Sequence, residues 1–174
     1  QDNYPDNNWY EMTLRETAPI MEHSLNVSGG GSTRYFLSGS YFDQNSLNPG
    51  KDLKRYSIRA NTESQVSEKF KVGSNISYIK DKLNNPNGNT NFMELNRAVP
   101  LLVARQSNGE WGSMNGGRVD GTLAAKNQLR NLEEGGRNNY DYNRFLGSIN
   151  GTYTPVKGLD INGMVSYNYY NTVT

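Results

Sequence analysis

Arg55, Arg59 and Glu63 recur at intervals of four along R-Y-S-I-R-A-N-T-E, and Lys71 and Arg144 stand in two later segments of the same texture. An even interval places side chains on one side of a β-strand. Guanidinium groups are planar, permanently charged forks that hold carboxylates or pairs of hydroxyls, so a wall carrying Arg55, Arg59 and Arg144 could bind such groups on a ligand. The same arginines could equally pair with neighbouring acids and merely hold the wall together. Trp9, Tyr10 and Trp111 lie in segments without alternation. There, flat rings could stack on sugar faces or on peptide side chains, or simply pack their own loops.

Catalytic patterns fail one by one. His23 is the only histidine, and it falls on the apolar parity of its segment, which excludes a histidine triad or a histidine-rich metal site. Gly29-Gly30-Gly31-Ser32-Thr33 lacks the Lys-Ser/Thr ending of a phosphate-cradling loop and leads into a strand, so it reads as a hairpin turn. Glu133 and Glu134 are adjacent and diverge on a helix, which suits a solvated helix end rather than a carboxylate pair. Asp81 to Gly88 is rich in asparagine but lacks the twelfth-position glutamate of a calcium loop. The triplets N-V-S, N-I-S and N-G-T are expected by chance in an asparagine-rich chain. No enzyme and no cofactor is expected.

The elements that position these residues follow from alternation. Tyr56, Ile58 and Ala60 oppose Arg55, Ser57, Arg59 and Asn61, as in a strand with unlike faces. Five further segments repeat the pattern: Met21 to Ser28, Arg34 to Gln44, Lys69 to Lys80, Arg144 to Tyr153 and Leu159 to Tyr169. Strands of about ten residues suit a tilted crossing of a bilayer and exceed the usual five or six of globular strands. Gly29 to Ser32, Gln65 to Glu68 and Thr154 to Lys157 read as tight turns, whereas Asn45 to Asp52 and a stretch from about Asp81 to Asn139 are long connections. Short and long connections alternate, which sends all tight turns to one edge of the sheet and all large loops to the other.

On the apolar parity, Tyr35, Phe70 and Tyr153 lie near the turns, and Tyr41, Tyr56, Tyr78, Tyr167 and Tyr169 near the long loops. Leu37, Ile58, Val72, Ile149 and Val165 lie between them. Two aromatic bands around an aliphatic belt match the interfaces of a membrane barrel. Within the long connection, Asn91 to Arg105 starts like a helix and breaks at Pro100, and Thr122 to Glu134 has loosely helical leucines before Gly135-Gly136.

Composition bounds the choice of class. The 174 residues include 18 basic and 17 acidic side chains, no cysteine and 34% hydrophobic residues, and the mean hydropathy is −0.83. No window approaches the ~18 apolar residues of a transmembrane helix. A transmembrane barrel survives this test, because each strand shows only half of its residues to lipid. The balanced, dispersed charge gives no support to a nucleic-acid partner. The competing arrangement is a soluble all-β carbohydrate-binding module, in which the apolar parity would face a second sheet.

The run N-W-Y-E-M-T-L-R-E-T-A-P-I-M-E-H-S-L-N-V-S-G-G (Asn8 to Gly30), with T-R-Y-F-L-S-G-S-Y-F-D-Q, R-Y-S-I-R-A-N, F-K-V-G-S-N-I-S-Y, K-N-Q-L-R-N-L-E-E-G-G and N-R-F-L-G-S-I-N-G-T-Y, resembles the SusC/RagA family of TonB-dependent outer-membrane transporters. The resemblance implies an all-β fold: an antiparallel meander of about six long strands forming part of a 22-stranded transmembrane β-barrel, with one long extracellular loop carrying short helices. Residues 1–17 would be the end of an extracellular loop and residues 18–174 a partial barrel, with the plug domain lying outside the stretch. It further implies import of glycan oligosaccharides or peptides across the bacterial outer membrane. A SusD-like surface lipoprotein would be the partner, and TonB would act through parts of the protein not in these residues. The sequence departs from the family at Asn127-Gln128-Leu129, where members often carry Asn-Pro before the leucine. Six strands alone leave two open edges and cannot enclose a pore, so the stretch is expected to belong to a longer polypeptide.

Overall fold

The structure, a computed structural model, describes residues 5–87, 92–98, 100–112 and 127–174. The chain divides into a loop unit (residues 1–19, 44–52 and 83–139) and a sheet unit (residues 20–43, 53–82 and 140–174). Six strands form one sheet in sequence order: β1 Ile20–Gly30, β2 Thr33–Asn45, β3 Asp52–Ser67, β4 Phe70–Asn84, β5 Tyr140–Val156 and β6 Leu159–Val173. The sheet is an antiparallel meander throughout.

Each strand extends beyond the segment that alternation marks out. The backbone ladder continues through turn-type residues as long as each N–H finds an acceptor. Gln65, expected in a turn, donates its N–H to the Ser32 carbonyl at 2.9 Å, and Thr154 donates to Lys69 at 2.8 Å. Pro155, which has no N–H, occupies a register irregularity between Tyr153 and Val156. The hairpin therefore closes at Lys157-Gly158, where Gly158 has φ +92°, a conformation glycine adopts without cost. Asp81, expected to open the long loop, is a strand residue, since β4 runs to Asn84. Asn84 at that end donates to the Asp52 carboxylate at 2.9 Å.

Register separates the two faces. Between β5 and β6, Phe145 pairs with Tyr169, Gly147 with Tyr167, Ile149 with Val165 and Tyr153 with Ile161. The alternate pairs are Arg144 with Tyr170, Ser148 with Ser166 and Thr152 with Asn162. The apolar face is uncovered: Ile58 is 64% exposed, Ile149 63% and Val165 77%. A β-sandwich would bury it under a second sheet about 10 Å away. Among the described residues all six strands belong to one sheet, so the soluble-module arrangement lacks its second layer.

The aromatics cap this face at both ends, and the Tyr41 and Tyr56 rings lie 5.2 Å apart. Beyond the tyrosines nearest the long connections, the same parity turns charged. Lys54 pairs with Asp43 at 3.7 Å and Lys80 with Asp141 at 3.4 Å. These partly exposed pairs contribute about 0–1 kcal/mol each. They show where the apolar band stops.

The loop unit has its own small core. Helix α1 (Trp9–Thr13) starts at Asn8, whose side chain accepts the N–H groups of Tyr10 and Glu11. Its Trp9 packs with Leu95 of α2 (Phe92–Arg97), Leu102 and Ala104, flanked by Leu14, Ala98 and Leu129. Helix α3 (Gln128–Glu134) is capped by Asn127, whose Oδ1 accepts Arg130 N–H at 3.2 Å while its Nδ2 donates to the carbonyls of Ala104 and Gly112. Gln128 thus takes the first helical position, where proline is also well tolerated, which accounts for the departure from Asn-Pro at this point. Of the helix expected over 122–134, residues 122–126 lie outside the described residues.

Gly112 is fixed by close approach, because a Cβ there would lie 2.0 Å from the Val103 carbonyl oxygen. Backbone cannot yield as a flexible side chain can. Gly112→Ala is expected to destabilise the loop unit by about 1–3 kcal/mol. Limited proteolysis should show faster cleavage within residues 92–112, with the strand ladder unaffected.

Candidate functional site

The polar face of the sheet gathers the candidate residues of β3 and β5 around a carboxylate between them. Asp81 of β4 is buried, with 7% of its surface exposed. Its Oδ1 accepts Arg55 Nε at 2.6 Å, and its Oδ2 accepts Arg55 Nη2 at 3.2 Å and Arg144 Nη2 at 2.8 Å. A carboxylate removed from water needs charged, hydrogen-bonded partners, and one from each neighbouring strand supplies them. A guanidinium has five N–H donors, so most donors on both arginines stay available. Their side chains remain 43% and 38% exposed.

Arg59, two pleat repeats from Arg55 on the same parity, lines a hollow of about 420 Å³ with Asn61, Asn75, Ser77, Ser148 and Asn168. It has no ion-pair or hydrogen-bond partner among the described residues. Glu63 and Lys71 pair with each other at 3.4 Å, both about half exposed, and form a neutral, solvated couple. The sheet therefore joins Arg55 to Arg144, leaves Arg59 open, and sets Glu63 and Lys71 apart near the tight turns.

Both tryptophans belong to the loop unit. Trp9 is 4% exposed within its core, and with Tyr10, Leu95 and Pro100 it lines a hollow of about 340 Å³. Trp111 is half-buried, with the Arg105 guanidinium 4.0 Å over its ring. Glu133 and Glu134 each take a separate arginine, Arg105 at 2.7 Å and Arg130 at 3.0 Å. The Trp111 indole N–H also donates to Glu134. That bond, seconded by Arg130, holds the Glu134 carboxyl below its ordinary range.

Three residues beside the arginines lay outside the sequence-marked segments: Asp81, Tyr142 and Tyr170. They line a second hollow, of about 340 Å³, together with Arg55 and Arg144. Parity was the available signal. Asp81 continues the series Lys71, Gly73, Asn75, Ser77, and Tyr142 and Tyr170 continue those of Arg144 and Asn168. The described residues hold no cluster of three metal-ligating side chains. What this face can do is bind polar or charged groups.

No family model matches the chain. It is 28% identical over 97% of its length to TonB-dependent receptor P26 of Formosa agariphila, covering 16% of that receptor. It is 32% identical over 41% of its length to TonB-dependent receptor P3 of the same organism, covering 7% of it. In fold it matches the RagAB peptide transporter with a TM-score of 0.71 at 23% identity, over 96% of this chain and 19% of that one. It also matches the RagAB peptide importer in the closed-closed state, with a TM-score of 0.69 at 22% identity, over 97% and 20%. The chain thus spans a fifth or less of the proteins it matches, and its antiparallel meander has the fold of the matching stretch of the RagAB chains.

Asp81→Ala leaves two guanidinium groups facing each other without their counter-charge. After discounting for their partial exposure, it should lower stability by about 1–3 kcal/mol in denaturant unfolding of the purified protein. Glu63→Ala should change stability by less than about 0.5 kcal/mol. A depressed carboxyl stabilises above its unfolded-state pKa, and that contribution is lost as pH falls through the folded value. The Trp111 indole N–H resonance should therefore titrate with a midpoint below 4.5, the ordinary glutamate value, and Glu134→Gln should abolish the titration.

Proposed function

We propose that this SusC/RagA-like chain is a stretch of barrel wall from a TonB-dependent outer-membrane transporter that imports large nutrients, oligosaccharides or peptides. The observation that carries the reading is the two-faced single sheet. Its apolar side is uncovered, bounded by tyrosines at both ends and by ion pairs beyond one of them. Its opposite side holds arginines fixed by a buried carboxylate. A bilayer is the surrounding that rewards the first face. A water-filled lumen is the one that tolerates the second.

In this reading residues 1–17 end one extracellular loop, residues 18–174 form early barrel strands, and the long connection after β4 lies on the extracellular side. The likeness to receptors named TonB-dependent supports active import driven by TonB through parts of the protein beyond these 174 residues. A SusD-like surface lipoprotein is the proposed partner, by analogy with the two-component name of RagAB. The polar face with Arg55, Arg59 and Arg144 contacts the passing substrate. The chain carries out no covalent chemistry.

The test uses adjacent residues of one strand in the full-length protein. Ile58→Arg places a charge on the lipid side at mid-strand and should cost about 2–4 kcal/mol of membrane stability, with loss of protein from the outer-membrane fraction. Ser57→Arg, on the lumen side, should insert normally. Equal effects at the two positions would contradict the assignment of faces.

A further inference from the structure

We infer that Arg55 and Arg144, with Tyr142 and Tyr170, form a subsite for an oxyanion, a carboxylate or sulfate, carried on a saccharide. The inference rests on the proposal that the polar face lines a lumen. From the long-connection ends to mid-strand, the polar parity of β3 to β6 carries Arg55, Arg59 and Arg144 against the single carboxylate of Asp81. Asp81 cannot neutralise them all. What it does is hold two guanidinium groups side by side, Arg55 through two hydrogen bonds and Arg144 through one. Both are left with free donors and a shared excess of positive charge. Paired guanidinium forks favour planar or tetrahedral oxyanions over neutral hydroxyls.

The surroundings point to the carrier. Register sets Tyr170 directly across from Arg144, and the Tyr170 side is 64% exposed. Tyr142 stacks on Tyr140 with ring centroids 5.8 Å apart and planes within 14°, which holds a flat ring at the edge of the hollow. The backbone groups of β3, β4 and β5 are spent on ladders to both neighbours, so the strands that carry Arg55, Asp81 and Arg144 cannot take an extended peptide by adding a strand. It offers ring faces, phenol and amide side chains and guanidinium groups, which suit a sugar bearing a charged substituent.

The test is calorimetric binding to the full-length transporter purified from the outer membrane. The probes are an oligogalacturonate, a sulfated galactan oligosaccharide, maltoheptaose as a neutral control, and an oligoglutamate peptide. At least one anionic saccharide should bind about tenfold or more tightly than maltoheptaose, and the preference should weaken with added salt. Arg144→Gln should reduce it severalfold, and Arg144→Lys should retain part of it. Comparing the carboxylated and sulfated probes identifies which oxyanion is taken. Similar binding of charged and neutral saccharides overturns the subsite, as does binding of no probe, or tighter binding of oligoglutamate than of either anionic saccharide. Each of these outcomes leaves the transporter assignment standing. Recovery of the protein from the soluble fraction overturns both. The wild-type comparison decides the matter if the Arg144 variants fail to assemble.

Discussion

The pleat of a single-layered sheet governs everything else in this molecule. Successive side chains must point to opposite sides, so a strand cannot present the same surroundings to consecutive residues. In β3 the consequence is that Ile58 and Arg59, neighbours in the chain, require incompatible media. A soluble fold resolves that conflict by folding the apolar side inward against its own chain. Here no second sheet is provided by the described residues. The proposed barrel wall resolves the conflict by setting hydrocarbon against one side and water against the other. Because a one-residue slip would exchange the faces of an entire strand, register is under strong constraint throughout the sheet.

The ion cluster at Asp81 works within that constraint. Exposed ion pairs such as Glu63 with Lys71 contribute little, because water screens both charges and ordering long side chains costs entropy. Asp81 differs because it is shielded and serves strands on either side, so it joins β3, β4 and β5 across the polar face. Its carboxylate also keeps two cations close that would otherwise repel, and it holds them in defined orientations. Local structure and the proposed subsite therefore depend on one residue: the group that links three strands also orients the two guanidinium groups.

The strand interiors could be read from alternation in the sequence, as could the alternation of tight and long connections, the helical start after Asn91 and the helical stop before Gly135. Strand ends could not. Asp81 heads D-K-L-N-N-P-N-G, whose composition says loop, and its partners Arg55, Arg144 and, for Asn84, Asp52 lie on neighbouring strands that the segment itself does not reveal. Tyr142 and Tyr170 escaped for a related reason: both sit past the last clear alternation, and the nearness of Tyr170 to Arg144 depends on a register that one chain segment does not specify. Trp9 illustrates a third limit. A tryptophan in a non-periodic segment is compatible with an exposed stacking platform, and its burial is decided by Leu95, Leu102 and Ala104, distant in sequence.

With no cysteine in these 174 residues, and any elsewhere in the polypeptide replaced, single-cysteine spin labels along β3 of the reconstituted full-length protein measure the faces directly. Labels at positions 56, 58 and 60 should collide preferentially with oxygen dissolved in lipid. Those at 57, 59 and 61 should collide with a water-soluble nickel chelate, giving an accessibility profile of period two. A profile in which both sets report water, or in which the even positions are shielded from both reagents as in a protein interior, would contradict the account.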